Sequence, residues 1–483
     1  MREILLVNPR FTEEVPIFNI PVSLFYLGSW LEWKGLKVRI LDSLHYDKKE
    51  FDMVLRGYLS NASCVGFTVM STQVPDALRL SKIVKDNSNL PVIWGGIHPT
   101  LYPEQTAENP LIDFVIVGEG EYRFQQLIAS GFKDNKILRE TEPLSINMLP
   151  RLRWSLLLDL EPGLTYHDLG TKTEFGASIL TSKGCPHRCS FCINSILGIK
   201  YRRRSLDMVF QDLEEAVNLG IDRFVFEDED FFADKKRVLD FLEGLISRKL
   251  NIKWSASCRT SYFSSDYLKK QEFIDLLIEA GCYFLGTGAE SGSQRILDMV
   301  NKDSKVENTI DMAKTLRGTG IGSNFSFMIG LPNEKVEDMK ETLNLIGRIK
   351  EENPDSYILG PQIYRPYPGS KLFGECVRKG MVEPKTLEEW SNSPYIHSEF
   401  SSKTYYNRKL YPWVEYKEDL PSLVFYATLL GLRPRNRGVS IIMTNIGKIR
   451  CKLFFFKLPI VKIVYGWVRG SKLELLLRRR NII

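Results

Sequence analysis

The sequence has little of what would mark a secreted or membrane-spanning chain. Eight cysteines in 483 residues are too sparse for a disulfide-stapled scaffold. No stretch of about 18 uncharged apolar residues occurs, so a spanning helix is not expected. The longest late candidate, residues 453–468, is interrupted by Lys457, Pro459 and Lys462. The apolar run Ile4-Leu5-Leu6-Val7 is too short for a signal peptide, and no small-residue cleavage site follows it. Short-period solenoid repeats are also missing. What remains is ordinary globular usage, 43% hydrophobic and 26% charged, which excludes a disordered or collagen-like chain. The length allows about three domains of ~150 residues. The expectation is a cytoplasmic protein with reduced thiols.

Acid is scarce in one region. Residues 421–483 hold thirteen Lys and Arg against Glu474 alone, which leaves the first 420 residues at a net −6 beneath an overall +6. A basic, aromatic-rich tail on a mildly acidic body points to an anionic partner: the inner membrane face, a phosphorylated substrate or nucleic acid. Phe425, Tyr426, Phe454, Phe455, Phe456 and Trp467 would give apolar contact there. Arg433, Arg435, Arg437, Arg478, Arg479 and Arg480 would give the charge. The rival reading is a helical cap that buries its apolar face on the body.

Two α/β patterns precede the tail. Residues 4–8, 38–41, 63–69, 91–94 and 114–117 read as short apolar strands, with helices at 24–34 and 75–86 between them. This alternation predicts a doubly wound, Rossmann-like parallel sheet over residues 1–130. Ligands of such sheets sit beyond the carboxyl ends of the strands. Those ends carry Asn8, Thr68 and Ser71, Gly95-Gly96-Ile97-His98, and Gly118-Glu119-Gly120. Residues 131–175 read as a linker. Strands centred near Ile179, Val225, Ser255, Gly286, Phe327 and Ile358 then alternate with helices, which predicts a partial (β/α)6 barrel over 176–375. Residues 376–483 form a mainly helical, basic C-terminal cap, with a helix at 423–432.

The segment that carries chemistry is Cys185-Pro186-His187-Arg188-Cys189-Ser190-Phe191-Cys192, just after the first barrel strand. Three thiolates on one loop can ligate three irons of a [4Fe–4S] cluster and leave the fourth iron open. The other five cysteines are scattered and offer no obvious fourth ligand. A zinc knuckle completed by His187, or buried thiols without a metal, are the alternatives.

This spacing, with Phe191 before the third cysteine, resembles the radical S-adenosylmethionine (radical SAM) superfamily. The resemblance implies that S-adenosylmethionine occupies the open iron, and that an electron from the cluster cleaves it to a 5′-deoxyadenosyl radical. It also implies binding roles at later strand ends. Glu227 or Asp228 would meet the methionine amino group, although the glycines usual in that segment are lacking. Arg259 would meet the carboxylate, Glu290 and Ser291 the ribose, and Gly330 the adenine.

The preceding domain resembles the cobalamin-binding branch of that superfamily, at residues 21–28, 65–68, 94–100 and 117–121. Asn8, Thr68, Ser71, Gly95, Gly96, Glu119 and Gly120 are then the expected cobalamin contacts. Asp42-Ser43-Leu44-His45 has the wrong spacing for the D-x-H-x-x-G signature, so no histidine ligand is expected beneath the cofactor. A small-molecule or lipid substrate and a reductant such as flavodoxin or ferredoxin complete the expectation. The tail adds peripheral membrane contact. Nucleic acid is disfavoured, because Cys64 stands alone where tRNA-modifying relatives carry a second cluster. The activity implied is methylation of an unactivated carbon. The alternatives are a non-methylating radical oxidoreductase, cyclase or ring-contraction enzyme of lipid or tetrapyrrole biosynthesis, and a non-catalytic metal-binding or membrane-adaptor protein.

Overall fold

The computed structural model describes residues 2–12, 21–139, 144–158, 167–168, 171–172, 176–264, 266–396, 411–416, 420–431 and 437–456. Contacts divide the chain into two units. One comprises Met1–Lys183, Arg202–Val225 and Val382–Ser398; the other comprises Gly184–Tyr201, Phe226–Met381 and Glu399–Ile483.

The first unit is built on a six-stranded parallel sheet. Its strands are β1 (Glu3–Asn8), β2 (Val38–Asp42), β3 (Ala62–Thr68), β4 (Val92–Gly95), β5 (Phe114–Val117) and β6 (Ile137–Arg139), in the order β2-β1-β3-β4-β5-β6. Near-continuous apolar runs such as Ile4 to Val7 are buried on both faces, as a helix-covered parallel sheet requires. The helix Val74–Asn87 buries Val74, Ala77, Leu80, Ser81 and Val84, one stripe at helical spacing. Several elements were not anticipated, among them the helices Ile97–Leu101, Pro103–Glu108 and Glu121–Ala129. The helix Lys48–Leu59 starts from a capping box of Asp47 and Glu50. Strand β6 lies inside the stretch read as linker. Residues 382–398, read as part of the C-terminal cap, pack in this unit. Leu387, Trp390 and Ile396 join its core, while Tyr102 donates to Glu383 and Asn109 to Glu388, each at 2.8 Å.

All six anticipated barrel strands are present: β7 (Gly176–Ile179), β8 (Arg223–Phe226), β9 (Lys253–Cys258), β10 (Cys282–Glu290), β11 (Gly322–Ile329) and β12 (Tyr357–Ile363). Within the second unit, β9 to β12 pair in chain order, all parallel. Small residues line part of one face of these strands. Ser257 lies beside Gly286, which lies beside Asn324, and Gly288 lies beside Ser326. A Cβ at Gly286 would have no atom within 4 Å.

The C-terminal region of this unit differs from its sequence reading. The apolar helix runs over Leu420–Thr428 with a 3₁₀ turn, Leu429–Gly431. A second helix, which the sequence reading did not place, spans Arg437–Leu453. Tyr426 and Phe456 are buried rather than interfacial. Lys457, Pro459, Lys462, Trp467, Arg433, Arg435, Arg478, Arg479 and Arg480 lie outside the described residues.

The cap meets the barrel at Gly330. This residue has φ 76°, and Leu420 Cδ2 stands 3.0 Å from where a Cβ would be. Its carbonyl accepts from Trp413 Nε1 at 2.9 Å. Its N–H, like that of Leu331, donates to the buried carboxylate of Glu334. Burial pushes Glu334 up to about 8, against the pull of those two N–H groups. A carboxyl whose folded pKa exceeds its unfolded value adds stability below the unfolded pKa and loses it as pH rises through the folded one. We therefore expect urea-unfolding stability to fall by a few kcal/mol between pH 4.5 and about 8, at ~1.4 kcal/mol per pKa unit. Glu334→Gln keeps the acceptor and should flatten that slope.

Candidate active site

In the first unit the strand order reverses between β1 and β3, the switch point at which open α/β sheets hold ligands. Gly96 leaves β4 at φ 100°, and a Cβ there would stand 2.7 Å from the Val69 nitrogen. Only glycine fits. At Gly95 and Gly120 the nearest atoms to such a Cβ are 3.9 Å away, so bare backbone is offered to a flat ligand. Thr68 Oγ1 lies at this edge, 3.5 Å from Ser23 Oγ.

The other polar candidates on this edge are used internally. Asn8 is buried, donating to Asp42 at 3.0 Å and accepting from Gln73 at 2.8 Å. Ser71 Oγ is 3.0 Å from His98 Nδ1. Glu119 binds the Arg202 guanidinium and lies 3.9 Å from Lys183 Nζ, which donates to Glu121 at 3.0 Å. Burial opposes the Glu121 carboxylate, yet Lys183 and Arg202 hold it below the usual range. His98 is buried against Trp390 and Tyr102, and burial pushes it down to about 3, so the ring stays neutral. These residues fix the shape of the glycine edge.

In the second unit Gly184 opens the cysteine loop at φ 82°, and a Cβ there would press within 2.5 Å of the Lys200 carbonyl. Its N–H donates to Glu229 at 3.0 Å. Ser190 N–H donates to the Val300 carbonyl at 2.9 Å, and Asn301 donates to Ser190 Oγ at 3.2 Å. His187 Nε2 lies 3.1 Å from the Tyr262 hydroxyl and 3.2 Å from Asp230, to which that hydroxyl donates at 2.6 Å. Arg259 Nη1 donates to Cys189 Sγ at 3.6 Å. Its Nε and Nη2 are buried with no partner. Burial pushes Cys185 up to about 11 and also raises Cys192, so a metal that binds these thiols must displace their protons. Among the described residues no three His, Cys, Asp or Glu side chains close around a single ion. A cubane places each thiolate on its own iron and spaces them more widely.

The remaining candidates divide in the same way. Asp228 is buried and Glu227 half-buried. Glu290 ends β10 at φ 64°, a backbone state uncommon for a non-glycine residue and typical of functional positions. Its carboxylate accepts from Lys302 Nζ at 2.9 Å, both side chains being almost fully buried. Lys302 Nζ also lies 5.9 Å from the centre of the Phe191 ring. Ser291 is fully buried, its hydroxyl 3.1 Å from Thr342 and accepting from Ser293 N–H at 3.1 Å. It holds the turn that presents Glu290. Gly330 is a packing point for the cap.

Comparison with known proteins decides the family. Residues 179–346 match the model of the radical SAM superfamily, and residues 12–128 match that of the B12 binding domain. An uncharacterized methyltransferase of Pyrococcus horikoshii is 30% identical over 383 residues, 75% of this chain and 79% of the relative. The chain belongs to the B12-binding radical SAM family. An anaerobic magnesium-protoporphyrin IX monomethyl ester cyclase of Rubrivivax gelatinosus is 28% identical over 395 residues, 77% of this chain and 68% of the relative. In fold the chain is similar to the radical SAM methyltransferase TsrM of Kitasatospora setae, solved with cobalamin and a [4Fe–4S] cluster. The TM-score is 0.58 at 20% identity, over 79% of this chain and 76% of that one.

The residues present fit a radical SAM protein's cofactors. The cysteine loop is held by hydrogen bonds that leave its three sulfurs for irons. The two partnerless N–H groups of Arg259 suit an anion beside Cys189. The glycine edge of the first sheet suits a flat ring system. Asp230, Tyr262, Glu229 and Lys302 were missed by sequence reasoning. The run of acids at 227–230 hinted at the first and third, but nothing local marks Tyr262 or Lys302.

Lys302 yields a direct test. Removing one partner of a buried ion pair leaves an uncompensated charge, at a cost of about 3–5 kcal/mol. We expect Lys302→Met to weaken S-adenosylmethionine binding at least about tenfold in cluster-loaded protein, measured by equilibrium dialysis. Iron content should stay near that of the unaltered protein, and Lys302→Arg should recover part of the affinity. Equal affinity in all three would remove Lys302 from the site.

Proposed function

We propose that this protein methylates an unactivated carbon of a small or lipid-like hydrophobic substrate, using both S-adenosylmethionine and cobalamin. A flavodoxin or ferredoxin is the electron donor in this reading. The supporting observation is the pairing, in one chain, of a B12 binding domain with a radical SAM domain, together with 30% identity to a methyltransferase over three quarters of the length. When bound, the cluster supplies the electron that cleaves S-adenosylmethionine, and cobalamin carries the methyl group.

The chain's own residues bind and orient. Cys185, Cys189 and Cys192 hold three irons. Arg259 offers its two remaining N–H groups to the methionine carboxylate, a charge-assisted pair. Glu290, held in place by Lys302, accepts from the ribose hydroxyls or the amino group. Gly95, Gly96, Gly120 and Thr68 receive cobalamin, with Asn8, Ser71 and Glu119 supporting that edge from behind. The small side chains at Ser257, Gly286 and Asn324 leave volume for the substrate carbon.

A second reading, radical cyclisation or oxidation without methyl transfer, is favoured by the 28% identity to the ester cyclase. Product analysis separates the two. Anaerobically reconstituted protein, given cobalamin, reductant and S-adenosylmethionine, should form S-adenosylhomocysteine as well as 5′-deoxyadenosine. 5′-Deoxyadenosine alone would support the second reading. Alanine at any of the three cysteines should abolish 5′-deoxyadenosine.

A further inference from the structure

The helix Arg437–Leu453 is docked by one face and bare on the other. A Cβ at Gly447 would stand 2.8 Å from Leu429 Cβ and 3.0 Å from the Tyr426 carbonyl, so the helix approaches its neighbour closely. Cys451, four residues on, is buried on the same side. That seating fixes what points outward. Ile442, Ile449 and Leu453 are 60%, 58% and 68% exposed, and their spacing of seven and four residues stacks them in one stripe. Phe455, just past the helix end, is 42% exposed.

Charge surrounds this stripe. Lys448 and Lys452 are exposed along one flank, and Arg450 lies on the other, its guanidinium 5.2 Å from the ring centres of Tyr426 and Phe455. The helix contains no Asp or Glu, and residues 457–483, which continue from it, hold seven Lys and Arg against Glu474. A narrow apolar stripe bordered by cations is the pattern of a helix lying in a bilayer interface, with apolar side chains among the acyl chains and cations at anionic headgroups. A groove on a protein partner would not require the same sign of charge on both flanks and in the following segment. No helix among the described residues is long and apolar enough to cross a membrane.

We propose that the outward face of Arg437–Leu453 docks the protein on the surface of an anionic phospholipid bilayer. This inference is independent of the methyl-transfer reading, since it involves no residue of the cysteine loop or of the glycine edge. Its test is co-sedimentation of the full chain with vesicles of phosphatidylcholine alone or with added phosphatidylglycerol. The bound fraction should be at least about tenfold higher on the anionic vesicles, and should fall with salt. Lys448→Glu with Lys452→Glu should lower it about tenfold, as should Ile442→Ser with Ile449→Ser and Leu453→Ser. Iron content after reconstitution, unchanged in both variants, would show that they fold. Equal binding to both vesicle types, binding to neither, or variants that bind like the unaltered protein would overturn the proposal. So would a dimer that the serine variant abolishes, since the stripe would then be covered by a second copy of the chain.

Discussion

A loop that gives three thiolates to a four-iron cluster must leave one iron to be completed from outside the chain, and in the proposed reading the contacts around Cys185, Cys189 and Cys192 serve that requirement. The loop cannot be slack. Gly184 lets its two ends close, Glu229 takes the Gly184 N–H, Val300 and Asn301 hold Ser190, and the Asp230–Tyr262 pair holds His187. Arg259 reaches Cys189 and still has two buried donors in hand. Buried donors without partners are costly, and an anionic ligand beside the cysteine loop would satisfy them, as the proposed carboxylate contact does. Glu290 and Lys302 add a second preset charge, already paired, whose carboxylate keeps one oxygen available.

The first unit solves a different problem. Its ligand edge is backbone, and backbone glycines hold a shape only if their surroundings impose one. Asn8, Asp42 and Gln73 tie the ends of β1 and β2 to the turn after β3; Ser71 and His98 tie that turn to the exit of β4. The ion pairs of Glu119 and Glu121 with Arg202 and Lys183 do the same after β5. Polar side chains at a sheet edge tend to be satisfied once buried, and here Asn8 pairs with Asp42 and Gln73, and Ser71 with His98. In the proposed reading they would contribute to cofactor binding only through the geometry of Gly95, Gly96 and Gly120.

That distinction marks the limit of what the sequence could reveal. The strands of both sheets followed from local periodicity, and those anticipated agree with the observed ones to within a few residues, whereas β6 and several helices of the first unit were not anticipated. The cysteine loop and the glycine edge were legible because their chemistry is written in consecutive residues. Asn8, Ser71, Glu119 and Ser291 look the same in a sequence whether they face a ligand or a neighbour, and only the fold shows the partner each takes. Lys302 and Tyr262 act through partners distant in the chain. The helix Arg437–Leu453 was obscured by Gly438, Ser440 and Gly447, weak helix formers, of which Gly447 is explained by its close contact with Leu429. The return of residues 382–398 to the first unit follows from Leu387 and Trp390, apolar residues three apart whose destination no local pattern specifies.

Three cysteine ligands on a four-iron cluster imply an iron left open by the polypeptide. Mössbauer and electron paramagnetic resonance spectra of oxygen-free, reconstituted protein test it directly, taken before and after S-adenosylmethionine is added. The expected result is a [4Fe–4S] cluster in which one iron alone changes on addition. Zinc in place of iron, or a cluster whose four irons respond identically because the chain already ligates each, would contradict it.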